Sequence, residues 1–163
     1  AIKAFADVIK MVPEARLLIA GRLWEDWEPY EQLIKQLGIN NYIITNLEYI
    51  PSGDVHKFFE VSDLCIFPYH HFDSQSGAGS AALSFRKPMI VSNVGGLPDL
   101  VKDRKWVVPP KNSRALAEAI IRCLQNTDLL KRMESDAEII SLQFSWSHIA
   151  VETAQIYQRL LKQ

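Results

Sequence analysis

A charge excess, a cysteine framework and a long apolar run are all missing from this chain, and each absence removes a class of function. Eighteen Lys and Arg stand against 19 Asp and Glu, for a formal net charge of −1. Without a basic surplus there is no electrostatic footprint for nucleic acid. Only two cysteines occur among 163 residues, Cys65 and Cys123, with no framework spacing and no companion histidine cluster. They are read as buried thiols in a reducing compartment, not as a disulfide or a metal site, and the cytoplasm is the expected location. No apolar run reaches the length of a membrane span, and no signal-peptide pattern opens the sequence. Repeats, low-complexity tracts and coiled-coil heptads are absent too.

What remains is an ordinary globular composition, 48% apolar and 23% charged, sufficient for one domain with a buried core. Residues 1–163 are therefore expected to form a single domain. Ile2, Phe5, Val8, Ile9 and Val12 recur at helical spacing from the first residues, with no capping residue ahead of them. This start is read as that of a piece of something longer. Arg16 to Gly21 (RLLIAG) is a continuous apolar run, the pattern of a strand buried on both faces in a parallel sheet. The pattern then predicts a helix over Trp27–Leu37 stopped by Gly38, a strand over Tyr42–Asn46, a short helix over Asp54–Val61 and a strand over Asp63–Tyr69. A small-residue helix over Ser76–Phe85, a strand over Pro88–Ser92 and a brief strand over Trp106–Val108 follow. Helices over Ser113–Gln125, Asp128–Ser141 and Ser147–Leu161 end the chain, the last with Ile149, Thr153, Ile156, Leu160 and Leu161 as its apolar stripe. Strands alternating with helices predict an α/β fold: a Rossmann-like parallel sheet flanked by helices, with a helical carboxyl-terminal tail.

In such sheets ligands bind outside the carboxyl ends of the strands. Gly21-Arg22, Asn46 to Ile50, Tyr69 to Gly77 and Asn93 to Gly96 lie there. The stretch from Phe72 to Val101 is the most informative, because a polar leader (Asp73, Ser74, Gln75, Ser76) opens a helix of small side chains. Bare peptide groups at a helix amino terminus favour an anion, and a phosphate-bearing ligand is the natural candidate. Gly77-Ala78-Gly79-Ser80-Ala81-Ala82 has dinucleotide-fingerprint spacing, but the glycines do not follow a strand directly and no acidic residue ends the next strand. Tight packing of the helix on the sheet is the competing reading of Gly77, Gly79 and Ala81. Asp73, the candidate catalytic residue, is suited to act as an acid, a base or an acceptor for a ligand hydroxyl, or else to cap the helix or hold a turn. His70 and His71 share its loop, either solvated or facing substrate, and no third ligand stands at metal spacing. Arg22 faces the crevice as a possible phosphate partner. Gly95-Gly96 is either a plain turn or a close approach of backbone to ligand. Tyr49-Ile50 either borders a base or anchors its loop, while Trp106 and Trp146 are read as packing residues. Asp63 begins its strand instead of ending it, which argues against a phospho-receiver domain.

Five segments, in order, resemble the carboxyl-terminal half of the group 1 (GT4) retaining glycosyltransferases of GT-B fold: PEARLLIAG, FFEVSDLCIFPY, KPMIVSNVGGLPDLV, VVPPKNSRALAEAI and FSWSHIA. The resemblance implies a half-enzyme that holds a nucleoside diphosphate sugar as donor substrate, with no resident cofactor. A separate amino-terminal half would hold the acceptor, and any peripheral membrane association would come only through the full-length protein. It implies that amides of Ser76, Gly77 and Ala78 hold the diphosphate. The base would lie near Glu48, Tyr49 and Ile50, and Asp73 would stand where the family carries the first of two glutamates. Gly21, Arg22, Ser74 and Gln75 complete the expected nucleotide-sugar site. Ala81 falls at the second glutamate position, Arg86-Lys87 replaces a small residue and glycine, and Asp99 replaces a glutamate. The family's basic pair and first strand fall outside the sequence. Ala81 keeps a second reading open, a non-catalytic relative that binds nucleotide weakly or serves as a protein-interaction domain.

Overall fold

A computed structural model describes residues 1–161 of the chain. The elements run α1 (Ile2–Met11), β1 (Leu17–Ala20), α2 (Glu28–Leu37), β2 (Ile43–Asn46), α3 (Val55–Glu60), β3 (Cys65–Phe67), α4 (Gly77–Ser84), β4 (Met89–Ser92), β5 (Val107–Val108), α5 (Ser113–Leu124), α6 (Thr127–Gln143) and α7 (Trp146–Leu160). Single 3-10 turns precede β2, follow β4 and precede β5. Local chemistry sets most boundaries. Gly38 ends α2 in the left-handed region at φ 66°, its N–H donating to the carbonyls of Ile34 and Lys35. Side chains of Ser76, Asn112, Asn126 and Ser145 each accept an N–H at the start of α4, α5, α6 and α7. No side chain caps α1.

Every strand pairing is parallel, as the alternation of strands and helices predicts, but the strands fall into two hydrogen-bonded groups, β1-β2 and β3-β4-β5. β4 is central and buried along its whole length. Its alternating side chains feed both layers. Ile90 enters a cluster with Phe5 and Val8 of α1 and Leu116 and Ile120 of α5. Met89 and Val91 face Ala82 and Leu83 of α4, Leu100, and Ala137 and Ile140 of α6. A third cluster joins Ile2, Ile34 and Ile39 over β1 and β2.

Three expectations are corrected. The strand at Leu17–Ala20 is covered on one face only: Leu17 and Ile19 pack inward, whereas Leu18 is half-buried and Ala20 exposed. Trp106 is buried as expected, but Trp146 is 87% exposed. The apolar stripe of α7 is uncovered, since none of the helix's residues is buried, although the helix does contact α6. Periodicity marks a face as apolar; it does not supply the surface that covers it. Among the described residues no helix is long and apolar enough to cross a membrane.

Candidate functional site

The loop from Pro68 to Ser76 leaves the carboxyl end of β3 and is held at both ends by hydroxyl groups. Ser92 Oγ donates to the carbonyls of Phe67 (3.2 Å) and Tyr69 (2.7 Å), fixing the root of the loop to β4. At the far end the Tyr69 hydroxyl meets Ser76 Oγ at 3.2 Å. Ser76 is buried, and its Oγ accepts the Gly79 N–H at 3.1 Å, so it is the cap of α4. Asp73 therefore does not cap the helix. Its carboxylate is 84% exposed and stands 3.1 Å from His71 Nε2.

Between these anchors the loop lies across the Gly95-Gly96 turn. A Cβ on Gly95, which has φ 51°, would stand 2.6 Å from the Phe72 carbonyl oxygen and 2.9 Å from that of Ser74. One on Gly96 would run into the Gln75 carboxamide. The Gly96 N–H donates to the Ser74 carbonyl at 3.2 Å. On the Cβ side what approaches these glycines is the loop itself, so they are its seat, while Gly95 remains exposed. The Ser74 carbonyl is thus taken by the turn and the Gln75 carboxamide lies over Gly96, while both residues remain exposed.

The amides that follow are not occupied. The first helical bond of α4 runs from Ser80 N–H to the Ser76 carbonyl, and the Gly79 N–H goes to Ser76 Oγ. Among the described residues the N–H groups of Ser76, Gly77 and Ala78 have no protein acceptor. Gly77 and Ala78 are exposed. Of the two glycines, Gly79 alone fits the packing reading of this helix. A Cβ there would be 2.5 Å from Leu100 Cδ1, whereas nothing lies within 4 Å of one on Gly77. Ala81 is half-buried.

The remaining predicted residues gather at the ends of β1 and β2. Gly21, at φ 133°, donates its N–H to the Asn46 carbonyl at 2.9 Å. Arg22 leaves this junction exposed, with no carboxylate in ion-pair range among the described residues. Asn46 Oδ1 accepts the Glu48 N–H at 3.4 Å. Glu48 and Tyr49 are exposed and Ile50 is half-buried. At 71% exposure Tyr49 is not a loop anchor. Thus Asp73 to Ala78 form one group with Gly95-Gly96, and Gly21, Arg22 and Glu48 to Ile50 form another. Both stand at strand carboxyl ends, and no hydrogen bond or ion pair among the described residues joins them.

Two residues that shape the site escape the sequence reading. Ser92 and Tyr69 position the loop, and the only hint is a serine closing an otherwise apolar strand. Among the described residues no three His, Cys, Asp or Glu side chains are grouped to hold a metal ion. An open groove of about 410 Å³ between Pro98, Arg104 and Phe144 contains none of the predicted residues.

With this geometry in view, similarity to known proteins is specific. The family described as glycosyl transferases group 1 matches residues 1–139. An uncharacterised glycosyltransferase of Methanocaldococcus jannaschii is 28% identical over 151 residues, covering 88% of this chain and 37% of that protein. The Anabaena HepE protein, solved in complex with UDP, superposes with a TM-score of 0.80 at 22% identity, over 99% of this chain and 44% of that one. The carboxyl-terminal domain of a Francisella tularensis glycosyl transferase group 1 protein superposes with a TM-score of 0.76 at 18% identity, over 87% of this chain and 75% of that one. The chain thus spans about two fifths of the full-length relatives. Fold, segment order and matched length agree: the chain belongs to the glycosyl transferases group 1 family, as a carboxyl-terminal domain of GT-B type.

Proposed function

We propose that this domain is the donor-binding half of a retaining hexosyltransferase, taking a sugar from a nucleoside diphosphate sugar for an acceptor held by another half. The observation that carries the reading is the row of uncommitted amides at Ser76, Gly77 and Ala78, on a loop already seated by Gly95-Gly96. Support comes from family membership and from HepE, whose structure holds UDP. Retention rests on the family resemblance alone. In this scheme the amides and the positive end of α4 stabilise negative charge building on the departing diphosphate, with Arg22 as a mobile cation. Asp73 accepts a hydrogen bond from a donor sugar hydroxyl, which orients the ring. Glu48, Tyr49 and Ile50 border the base.

Gly77→Pro tests the reading. Gly77 is the first helical residue, and Ser76 before it is extended at φ −82°, ψ 115°. Proline is tolerated at that position and favours such a predecessor, so the fold survives while one amide is lost. Calorimetric titration with UDP, GDP and ADP, and with their sugar conjugates, is expected to show binding to the native chain. In the variant affinity falls by about 10- to 100-fold, the size of one hydrogen bond to a charged group. Equal affinity in both chains removes the amides from the site. A second reading, a non-catalytic relative, is favoured by Ala81, which brings no polar group where the family has its second glutamate. Silence with all three nucleotides selects its protein-interaction form.

A further inference from the structure

Of the two tryptophans in the segment between β1 and α2, one is packed and one is bare. Gly21, at φ 133°, carries the chain out of β1 while its N–H stays bonded to the Asn46 carbonyl at 2.9 Å. The far side of the segment is tied to α2. Glu25 Oε1 accepts the Tyr30 hydroxyl at 2.6 Å, and Asp26 Oδ1 accepts the Glu28 N–H at 3.1 Å. Trp27 lies 5.4 Å from Tyr30 between ring centroids and packs against the cluster of Ile2, Ile34 and Ile39. Trp24 stands between these anchored ends. At 94% exposure it is the most exposed large apolar side chain among the described residues. Tryptophan is ordinarily well buried. Here the backbone that carries it is fixed on both sides while the indole is left in solvent.

Its neighbours define what it could meet. Trp24 is three residues past Gly21 and Tyr49 three past Asn46, the two residues whose backbones bond across the strand ends. Tyr49 is 71% exposed. Arg22 is exposed with no carboxylate in ion-pair range among the described residues. The acidic pair of the same segment, Glu25 and Asp26, is taken up by Tyr30 and the start of α2. A free cation with two bare aromatic side chains, all leaving adjacent strand ends, suits a ligand that is flat, aromatic and anionic at once. A sugar ring can also lie on an indole, but it gives the cation no partner. The family resemblance assigns the base to Glu48, Tyr49 and Ile50 and gives Trp24 no role.

We propose that Trp24 is a stacking face for the nucleobase of the donor, which is gripped by its ring plane while Arg22 meets the phosphates. The assignment rests on the donor-binding reading and adds to it a residue of this chain's own. Base–aromatic stacking tolerates any base, because every base has a π-face, and its preferences follow stacking strength. The indole therefore contributes to all nucleotides and most to the larger purine rings. Because the segment is already anchored, little ordering is spent when a base settles on it.

Calorimetric titration of the 163-residue chain with ADP, GDP, UDP and their sugar conjugates tests this, beside Trp24→Ala, Trp24→Phe and Trp146→Ala. Trp146, 87% exposed on α7, is the matched control. Such exposed positions leave melting unchanged, so affinity is read on a folded chain. Trp24→Ala is expected to weaken all three nucleotides by about 5- to 100-fold, more for ADP and GDP than for UDP. Trp24→Phe keeps a ring and should retain most of the native affinity. Tryptophan emission gives a second readout: it should change as nucleotide saturates the native chain and Trp146→Ala, and not in Trp24→Phe. An equal loss in Trp146→Ala overturns the proposal, as does an emission change that survives in Trp24→Phe. A loss confined to the sugar conjugates assigns Trp24 to the sugar ring and overturns the base as its partner. No binding of any nucleotide to the native chain overturns the donor-binding reading and this one with it. Native binding that Trp24→Ala leaves untouched overturns this one alone.

Discussion

Gly77 and Gly79 are two residues apart and answer to different constraints. Gly79 is buried, and a methyl group there would press on Leu100 Cδ1 and on Ser76, the cap itself. Leu100 is only 1% exposed and has nowhere to swing. Gly79→Ala gains about 1 kcal/mol of helix propensity but is expected to lose more through overpacking, about 1–3 kcal/mol. Gly77→Ala meets nothing and should stay within about 0.5 kcal/mol of the native chain. Denaturant titration of the two variants checks the contrast; equal stability refutes it. The thiols give a pH dependence. Burial pushes Cys65 up to about 11 and Cys123 up to about 12. Unfolded thiols ionise near about 8.5. Above that value the unfolded chain sheds protons that the folded chain keeps, so stability is intact at neutral pH and falls as pH rises toward 11. Melting temperature should decline over this range more steeply than in a Cys65→Ala, Cys123→Ala double variant. Parallel declines would remove the thiols as the cause.

At the scale of elements, helices were legible wherever local chemistry decides them. Gly38, the Ser and Asn caps and Pro88 mark boundaries close to those observed. Burial was less legible, because it depends on neighbours. RLLIAG reads as a doubly covered strand, yet no cluster includes Leu18. The α7 stripe is regular in sequence and bare in the structure. Ile156, 54% exposed, contributes little to this domain. Ile156→Ser should therefore shift unfolding by less than about 0.5 kcal/mol. A loss of several times that, by thermal or denaturant melting, would show that α7 is packed in solution. In the site, the polar leader and its helix were readable from residue types. The seating of that leader on Gly95-Gly96 was not, since contact between residues some twenty positions apart is tertiary.

Over the whole molecule, the two residue groups both stand at strand carboxyl ends, and no hydrogen bond or ion pair among the described residues joins them. The resemblance places the acceptor on another half, and this chain covers about two fifths of the full-length relatives. It is expected to bind nucleotide sugars without turning them over. Sustained release of UDP from UDP-glucose, followed by a coupled assay, would contradict that; binding without release agrees with it. The order of strands also sets where stability resides. β4 is buried throughout and feeds both layers, whereas β2 has no buried residue. Local opening is thus expected to begin on the β1-β2 side.

The glycine turn carries one more implication. With two carbonyl oxygens of the loop resting on Gly95 and the Gln75 carboxamide over Gly96, the stretch before α4 is rigidly borne from below. A guest anion would find its hydrogen-bond donors already aligned and would spend little on ordering them. Conversely, a single methyl placed beneath the loop would displace those donors without ever touching the guest, so damage to the turn would be felt as damage to recognition.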